Sequence, residues 1–253
     1  LQIFFQTRQR CNRRLQKLYS RYYLDRHYFY TTALSGSQDA LYSLGKRGVD
    51  VVTLKKGIPR EQVQRARQKF ARQLTSYSVL FTLAHIQATV KARIAFEKAF
   101  KKHQRAELLN WIPERLLEQR FKADDKRLKL RPDGFMQYQI NSGKIYSAFL
   151  EIDLGTQSSK QIKEKVKRYL AFSETDLPNS FLGSRWFRVI FITKSQRRSQ
   201  ELKEAIEAVT NKIFWITDIS KISGDDWLDK PIFLRVGMPG RFSLITQQWL
   251  PIG

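Results

Sequence analysis

A single cysteine, three histidines and two methionines among 253 residues are the first things the chain is short of. One cysteine allows no intrachain disulfide, and a reducing cytoplasm is the natural setting for such a chain. His27, His85, His103 and Cys11 fall at no metal-ligand spacing, which argues against a zinc site. Acids are scarce as well: 23 Asp/Glu face 46 Lys/Arg, for a net charge of +23. No apolar run approaches the ~18 residues that span a bilayer, and no secretory signal pattern opens the chain. There is no internal repeat, no Gly-rich phosphate loop and no Gly-x-Ser-x-Gly elbow, so nucleotide-hydrolysis machinery is not visible. Leu1 stands inside an apolar run, which reads as the start of a fragment.

What is present is a foldable composition, 42% hydrophobic and 13% aromatic, in a chain long enough for one large or two modest domains. The positive charge is uneven. Residues 1–110 hold 22 Lys/Arg against 6 Asp/Glu, and residues 111–253 hold 24 against 17. A basic N-terminal part suits a polyanion, and double-stranded DNA is favoured over membrane because the basic residues alternate with Gln and Asn rather than bordering a wide apolar face.

The most informative stretch is 131–153, RPDGFMQYQINSGKIYSAFLEID. Two alternating runs flank Asn141-Ser142-Gly143, a turn signal, so the stretch reads as a β-hairpin. Met136, Tyr138, Ile140, Ala148, Leu150 and Ile152 form an apolar face, and Asp133, Gln137, Gln139, Ser147, Glu151 and Asp153 a largely polar one. A turn centred on Ser142 sets Asp133 opposite Glu151, with Asp153 on the same face. Facing residues lie about 4.5–5.5 Å apart, where like charges repel. A divalent cation would offset them; an ordinary hairpin with a solvated acidic face is the alternative.

Pro132-Asp133 followed by Glu151-x-Asp153 resembles the core of the PD-(D/E)xK nucleases. A more specific resemblance is to the replication-relaxation family of plasmid and mobile-element proteins, which includes relaxase-like mobilisation proteins. It rests on Tyr42-Ser43-Leu44-Gly45-x-x-Gly48, His85, Trp111-x-x-Glu114, Arg131-Pro132-Asp133, Leu150-Glu151-x-Asp153-x-Gly155-Thr156 and the Lys-Arg-Tyr that ends at Tyr169, covering most of residues 1–172. The pattern departs at Asp153, where many such nucleases carry the lysine that positions or activates the attacking water. Lys160 and Lys163 on the next helix are the nearest substitutes.

In chain order, residues 1–30 read as helix, with Leu15, Leu18 and Tyr22 on a buried face. Arg8, Arg10, Asn12, Arg13, Arg14, Lys17 and Arg21 are the candidate DNA contacts, suited to phosphates and base edges. Tyr28–Leu34 and Ala40–Leu44 bracket a polar tip at 35–39, so a recognition helix and wing are expected, with earlier helices upstream of Leu1. Helices are expected over 60–75 and 76–104, with His85 either a packed helix residue or a proton carrier or DNA contact. Residues 111–121 read as a short helix with Pro113 in its first turn and Glu114 as a further acid or a dipole-favoured one. Asp124 and Asp125 read as solvated loop acids. After the hairpin, Ser158 or Ser159 caps a helix that buries Ile162, Val166 and Tyr169 or Leu170. Lys160, Lys163 and Lys167 form a stripe on it, a phosphate grip or a solvated face. Trp186–Thr193 reads as a strand buried on both faces, followed by a helix over 197–210 and a strand over 213–217. Pro231–Val236 and Phe242–Ile245 read as extra strands.

The expected architecture is α/β: a partial winged helix-turn-helix (1–57), a helical connector (58–104) and a PD-(D/E)xK restriction-endonuclease-like domain (105–253) with a mixed sheet flanked by helices. The resemblance implies a metal-dependent DNA endonuclease that nicks at a replication or transfer origin. Asp133, Glu151 and the Ile152 carbonyl would hold Mg²⁺ or Mn²⁺, Glu114 or Asp153 would complete the shell, and Lys160 or Lys163 would steady the phosphate. Supercoiled origin DNA is the expected partner, with a homodimer or an accessory mobilisation protein as further partners. The alternative is an inactive, sequence-specific regulator on the same scaffold.

Overall fold

The computed structural model describes residues 7–28, 40–75, 79–114, 116–117, 130–141, 143–224, 226–245 and 249–250, and the chain divides into two compact units, Leu1–Ala84 and His85–Gly253.

In the first unit, helix α1 (Arg8–Ser20) opens at Thr7, whose hydroxyl accepts the Arg10 amide. Cys11 is buried on its inner face, with Leu15 and Leu18 half-buried. Tyr22, assigned by helical spacing to that face, is instead 69% exposed and ends the helix. Its φ of 63° is left-handed. The Tyr22 and Tyr23 amides donate back to the Tyr19 and Leu18 carbonyls, a Schellman ending at a position usually given to glycine. This turn sends the chain directly into β1 (Leu24–His27), which pairs antiparallel with β2 (Leu41–Leu44). The first strand thus begins before Tyr28, where spacing had started it, and the polar tip at 35–39 lies outside the described residues.

Helix α2 (Lys46–Lys56) begins hard against this hairpin. A Cβ on Gly45 would lie 2.5 Å from the Tyr22 carbonyl oxygen, and one on Gly48 would overlap the Tyr23 carbonyl oxygen. The Gly45-x-x-Gly48 spacing therefore has a steric reason. Helix α3 (Arg60–Thr75) presents Val63, Ala66 and Phe70 inward. Its Arg67 donates to Asp25 at 2.8 Å and to the Leu44 carbonyl at 2.9 Å, tying the helix to both strands.

The second unit is built on an eight-stranded sheet whose spatial order follows the chain. Its strands are β3 (Ala106–Pro113), β4 (Gly134–Ile140), β5 (Ile145–Asp153), β6 (Arg188–Thr193), β7 (Phe214–Asp218), β8 (Phe233–Arg235), β9 (Arg241–Phe242) and β10 (Trp249–Leu250). Strands β5, β6 and β7 run parallel, and all other pairings are antiparallel. Helix α4 (Val79–Lys102) lays Ala92, Phe96, Ala99 and Phe100 on one face of the sheet, against Met136, Tyr138, Leu150 and Ile152. Helices α5 (Ser159–Glu174), α6 (Leu177–Leu182) and α7 (Gln196–Glu207) cover the other, against Phe135, Phe149, Phe191 and Phe214. Each such fully buried side chain contributes roughly 1.5–3 kcal/mol. Ser158 caps α5 through a capping box with Gln161.

The hairpin register is the one its turn implied, with Gly134 opposite Leu150 and Phe135 opposite Phe149. Its second face is not solvated, however. Phe135 and Phe149 stand among the polar residues and bring α5 down onto them, so that Glu151 and Asp153 are each 2% exposed. The stretch read as a helix from Trp111 is instead the end of β3, where Trp111 pairs with Met136. A bulge between Leu108 and Asn110 breaks its alternation, and Pro113 is tolerated because β3 is an edge strand. Helix follows only from Glu114, and residues 118–121, like Asp124 and Asp125, lie outside the described residues. Strand β6 starts at Arg188, leaving Trp186 84% exposed on the turn before it. Among the described residues no helix is long and apolar enough to cross a membrane.

Two substitutions test the steric reading of the first unit by urea unfolding of the chain. Gly48→Ala is expected to destabilise it by about 1–3 kcal/mol, the range for overpacking. Tyr22→Gly is expected to stabilise it by up to about 1 kcal/mol, because glycine adopts the left-handed conformation without steric cost.

Candidate functional site

The three acids of the hairpin stand at one end of the sheet, and each is held by a different helix. Asp133 precedes β4 and is clasped to β5: its amide donates to the Leu150 carbonyl at 2.9 Å, and its Oδ2 accepts the Ile152 amide at 2.7 Å. Its Oδ1 lies 2.7 Å from Nε2 of His85 on α4. The hydrogen bond to Asp133 raises the His85 pKa above its ordinary value against the opposing effect of burial, with a smaller contribution from the Glu114 charge. Glu114 itself is exposed, at the start of the helical turn after β3.

Glu151 is enclosed more tightly. Tyr169 donates to its Oε1 at 2.6 Å and Lys165 to its Oε2 at 2.5 Å. These two residues are four apart on α5 and so share a face of the helix. Burial lifts the Glu151 carboxyl to about 7, with Lys165 opposing the shift and the Asp133 charge adding to it. Burial works against the Lys165 charge too, but Glu151 outweighs it and raises the lysine pKa. Above neutral pH the pair is therefore ionised, and below it Glu151 takes up a proton.

Asp153, by contrast, is wholly engaged away from the other two. Its Oδ1 accepts the Gly155 amide at 2.8 Å and its Oδ2 the Arg198 guanidinium of α7 at 2.7 Å, and Arg198 also donates to the Gln157 carbonyl. In register with Asp153 lie Thr193 and Asp218 at the ends of β6 and β7. These form a row of buried polar groups across the C-terminal ends of the parallel strands, where open α/β sheets bind ligands.

Of the residues picked from the sequence, Asp133 and Glu151 come together; Lys160 and Lys163 do not join them. Lys160 is exposed and Lys163 half-buried, while Lys167 pairs with Glu164 on the solvated side. The lysine that reaches the acids is Lys165. It lies between Ile162 and Val166 at the flank of the inward face, and the Lys-Arg-Tyr run that ends at Tyr169 was the available signal for its neighbour. Asp133 and Glu151 are the pair able to offer oxygens to a hard cation. Among the described residues no three His, Cys, Asp or Glu side chains converge as a metal-holding group. On the first unit, Arg8, Arg10, Asn12, Arg13, Arg14 and Lys17 are all exposed along α1, and Arg21 is exposed at its C-cap.

The first unit thus presents a basic helix beside a hairpin, and the second a pair of buried acids on a mixed sheet. The chain belongs to the replication-relaxation family, whose model matches residues 1–182, and this membership fits a role in replication or mobilisation. The match includes α1, the Gly45-x-x-Gly48 contact, Asp133, Glu151, Lys165 and Tyr169. No curated protein and no solved structure matches the chain.

Glu151 and His85 both keep their protons to higher pH in the folded chain than in the unfolded one, Glu151 from an ordinary value of 4.5 up to about 7. The folded state thus binds more protons over that window, and stability is expected to fall as pH rises through it. Thermal melting at about pH 8 should occur below that at about pH 5.5, with Glu151→Gln flattening the difference. Lys165→Met strands the Glu151 charge and is expected to cost about 3 kcal/mol at pH 8, most of it recovered when Glu151→Gln is added.

Proposed function

We propose that the protein is a DNA-binding nickase acting at a plasmid or mobile-element replication or transfer origin, with Asp133, Glu151 and Lys165 as its cleavage site. The observation that carries this reading is the juxtaposition of the two carboxylates with the buried Lys165 ammonium. Lys165 supplies from α5 the cation that Asp153 does not. The element order α4–β3–β4–β5–α5–β6 supports the reading too, since it is the order of the PD-(D/E)xK core.

The donor set suits Mg²⁺ or Mn²⁺. Two adjoining carboxylates offer hard oxygens, and the burial and mutual repulsion that push Glu151 upward are relieved by a divalent charge. Asp133, Glu151 and the Ile152 carbonyl would hold the ion, which when bound polarises the scissile phosphate and acidifies a water. The rest falls to the chain's own groups. Tyr169 orients Glu151, and the Ile152 amide and His85 orient Asp133. Lys165 faces the charge that develops on the phosphate, and His85 can move a proton at Asp133 Oδ1. Arg13, Arg14 and their neighbours on α1 grip phosphates and base edges, with the β1–β2 hairpin as a wing beside them.

One observation favours a second reading, a binding-only regulator of replication: every carboxylate oxygen of Asp133, Glu151 and Asp153 already accepts a hydrogen bond from the protein.

Relaxation of a supercoiled plasmid carrying the element's own origin, with Mg²⁺ or Mn²⁺, separates the two. Asp133→Ala, Glu151→Ala and Lys165→Ala are each expected to slow nicking by roughly 100-fold or more while a gel shift shows unchanged binding. Arg13→Ala with Arg14→Ala is expected to weaken binding and flatten its salt dependence. Tight binding by wild type with no nicking under either metal would replace the nickase with the regulator.

A further inference from the structure

At the other end of the sheet from the acids, the N-terminal ends of the parallel strands carry a ladder of alternating cations and rings. Lys144 lies 5.3 Å from the Tyr146 ring on β5, and Arg188 of β6 stacks over Tyr146 at 4.5 Å and over Trp215 of β7 at 4.4 Å. Arg235 of β8 then stacks over Trp215 at 5.0 Å and over Phe242 of β9 at 4.9 Å. The ladder borders a groove of about 590 Å³ that Trp186 and Lys212 also line.

Two features make this groove more than a stacked surface. Among the described residues its lining contains Lys144, Arg188, Lys212 and Arg235 and no carboxylate. The described hydrogen bonds of Arg188 go to neutral acceptors, the Tyr138 hydroxyl and the Leu244 carbonyl. Among the described residues the Arg235 side chain contacts the Trp215 and Phe242 rings, and burial together with the adjacent Arg188 holds it below its ordinary value. At the opposite end of the sheet, by contrast, Lys165 is matched with Glu151 and Arg198 with Asp153. The second feature is Trp186, a residue 84% exposed although its backbone is pinned by its amide donating to the Ser184 hydroxyl at 3.0 Å. An open aromatic face beside unmatched cations is the combination that binds unpaired bases together with their phosphates.

We propose that this groove binds single-stranded nucleic acid, with a base stacked on Trp186 and the adjoining phosphates against Lys144, Lys212 and the Arg188–Arg235 pair. A duplex does not suit it, because paired bases present no free ring face and the groove is small. The site uses neither α1 nor the carboxylates, so it stands apart from the origin-binding and nicking reading.

Fluorescence anisotropy with the full chain tests it, using labelled oligo-dT, oligo-rU and a duplex of equal length. Wild type is expected to bind at least one single strand, with quenching of tryptophan emission. Trp186→Ala, an exposed position whose change leaves the core intact, is expected to weaken single-strand binding roughly 10-fold. Lys212→Glu is expected to weaken it and make its salt dependence shallower. Duplex binding and nicking should be unchanged in both. The proposal is overturned if wild type binds neither oligonucleotide, if both variants bind like wild type, or if single-strand and duplex binding fall together. None of those results bears on the α1 and Glu151 variants, which test the other reading separately.

Discussion

Three carboxylates buried at one end of a sheet must each be compensated, and in the second unit that requirement organises the helices. Asp133 is matched by His85 of α4, Glu151 by Lys165 and Tyr169 of α5, and Asp153 by Arg198 of α7. Each helix packs through apolar side chains, which are non-directional and would tolerate some rotation. The charge contact removes that freedom, because losing one partner would leave an uncompensated buried charge. The acids thus fix the rotation and the height of the helices on β5 and its neighbours. Whatever chemistry they perform, they are also the pins of the fold.

The same sheet separates two electrostatic regimes. At the C-terminal ends of β5, β6 and β7 acids and cations are matched inside the protein, so a ligand there must enter an already balanced network. At the N-terminal ends cations rest on aromatic faces, with no acidic partner among the described residues. An anion placed at the second would have no internal carboxylate to displace, while at the first it would have to compete with Glu151 and Asp153 for Lys165 and Arg198.

Much of this could be read from the chain. The alternation around Asn141-Ser142-Gly143 gave both the hairpin and its register, and the family's motif residues proved to have steric or electrostatic reasons, Gly48 against Tyr23 and Asp133 against His85. The burial of the acidic face was legible too, in Phe135 and Phe149, but a few polar neighbours obscured it. Lys165 was hidden by phase: a lysine at the flank of a buried helical stripe looks like its solvated neighbours until a carboxylate is placed beneath it. The strand at Trp111 was hidden by its proline, which suits a first helical turn and the end of an edge strand equally well. Nothing local to residues 144, 188, 215 and 235 betrays that they stack, since the ladder exists only once β5 to β9 are side by side.

That edge strand has a consequence for the company the sheet can keep. A bare sheet edge invites another chain to add a strand to it. Here β3 offers a bulge at Leu108–Asn110, a proline with no amide at its end, and the exposed charge of Glu107. At the opposite edge, β10 has two described residues. Templated growth of the sheet is thus discouraged on both sides. Two copies brought side by side would therefore meet few free backbone groups along either described edge.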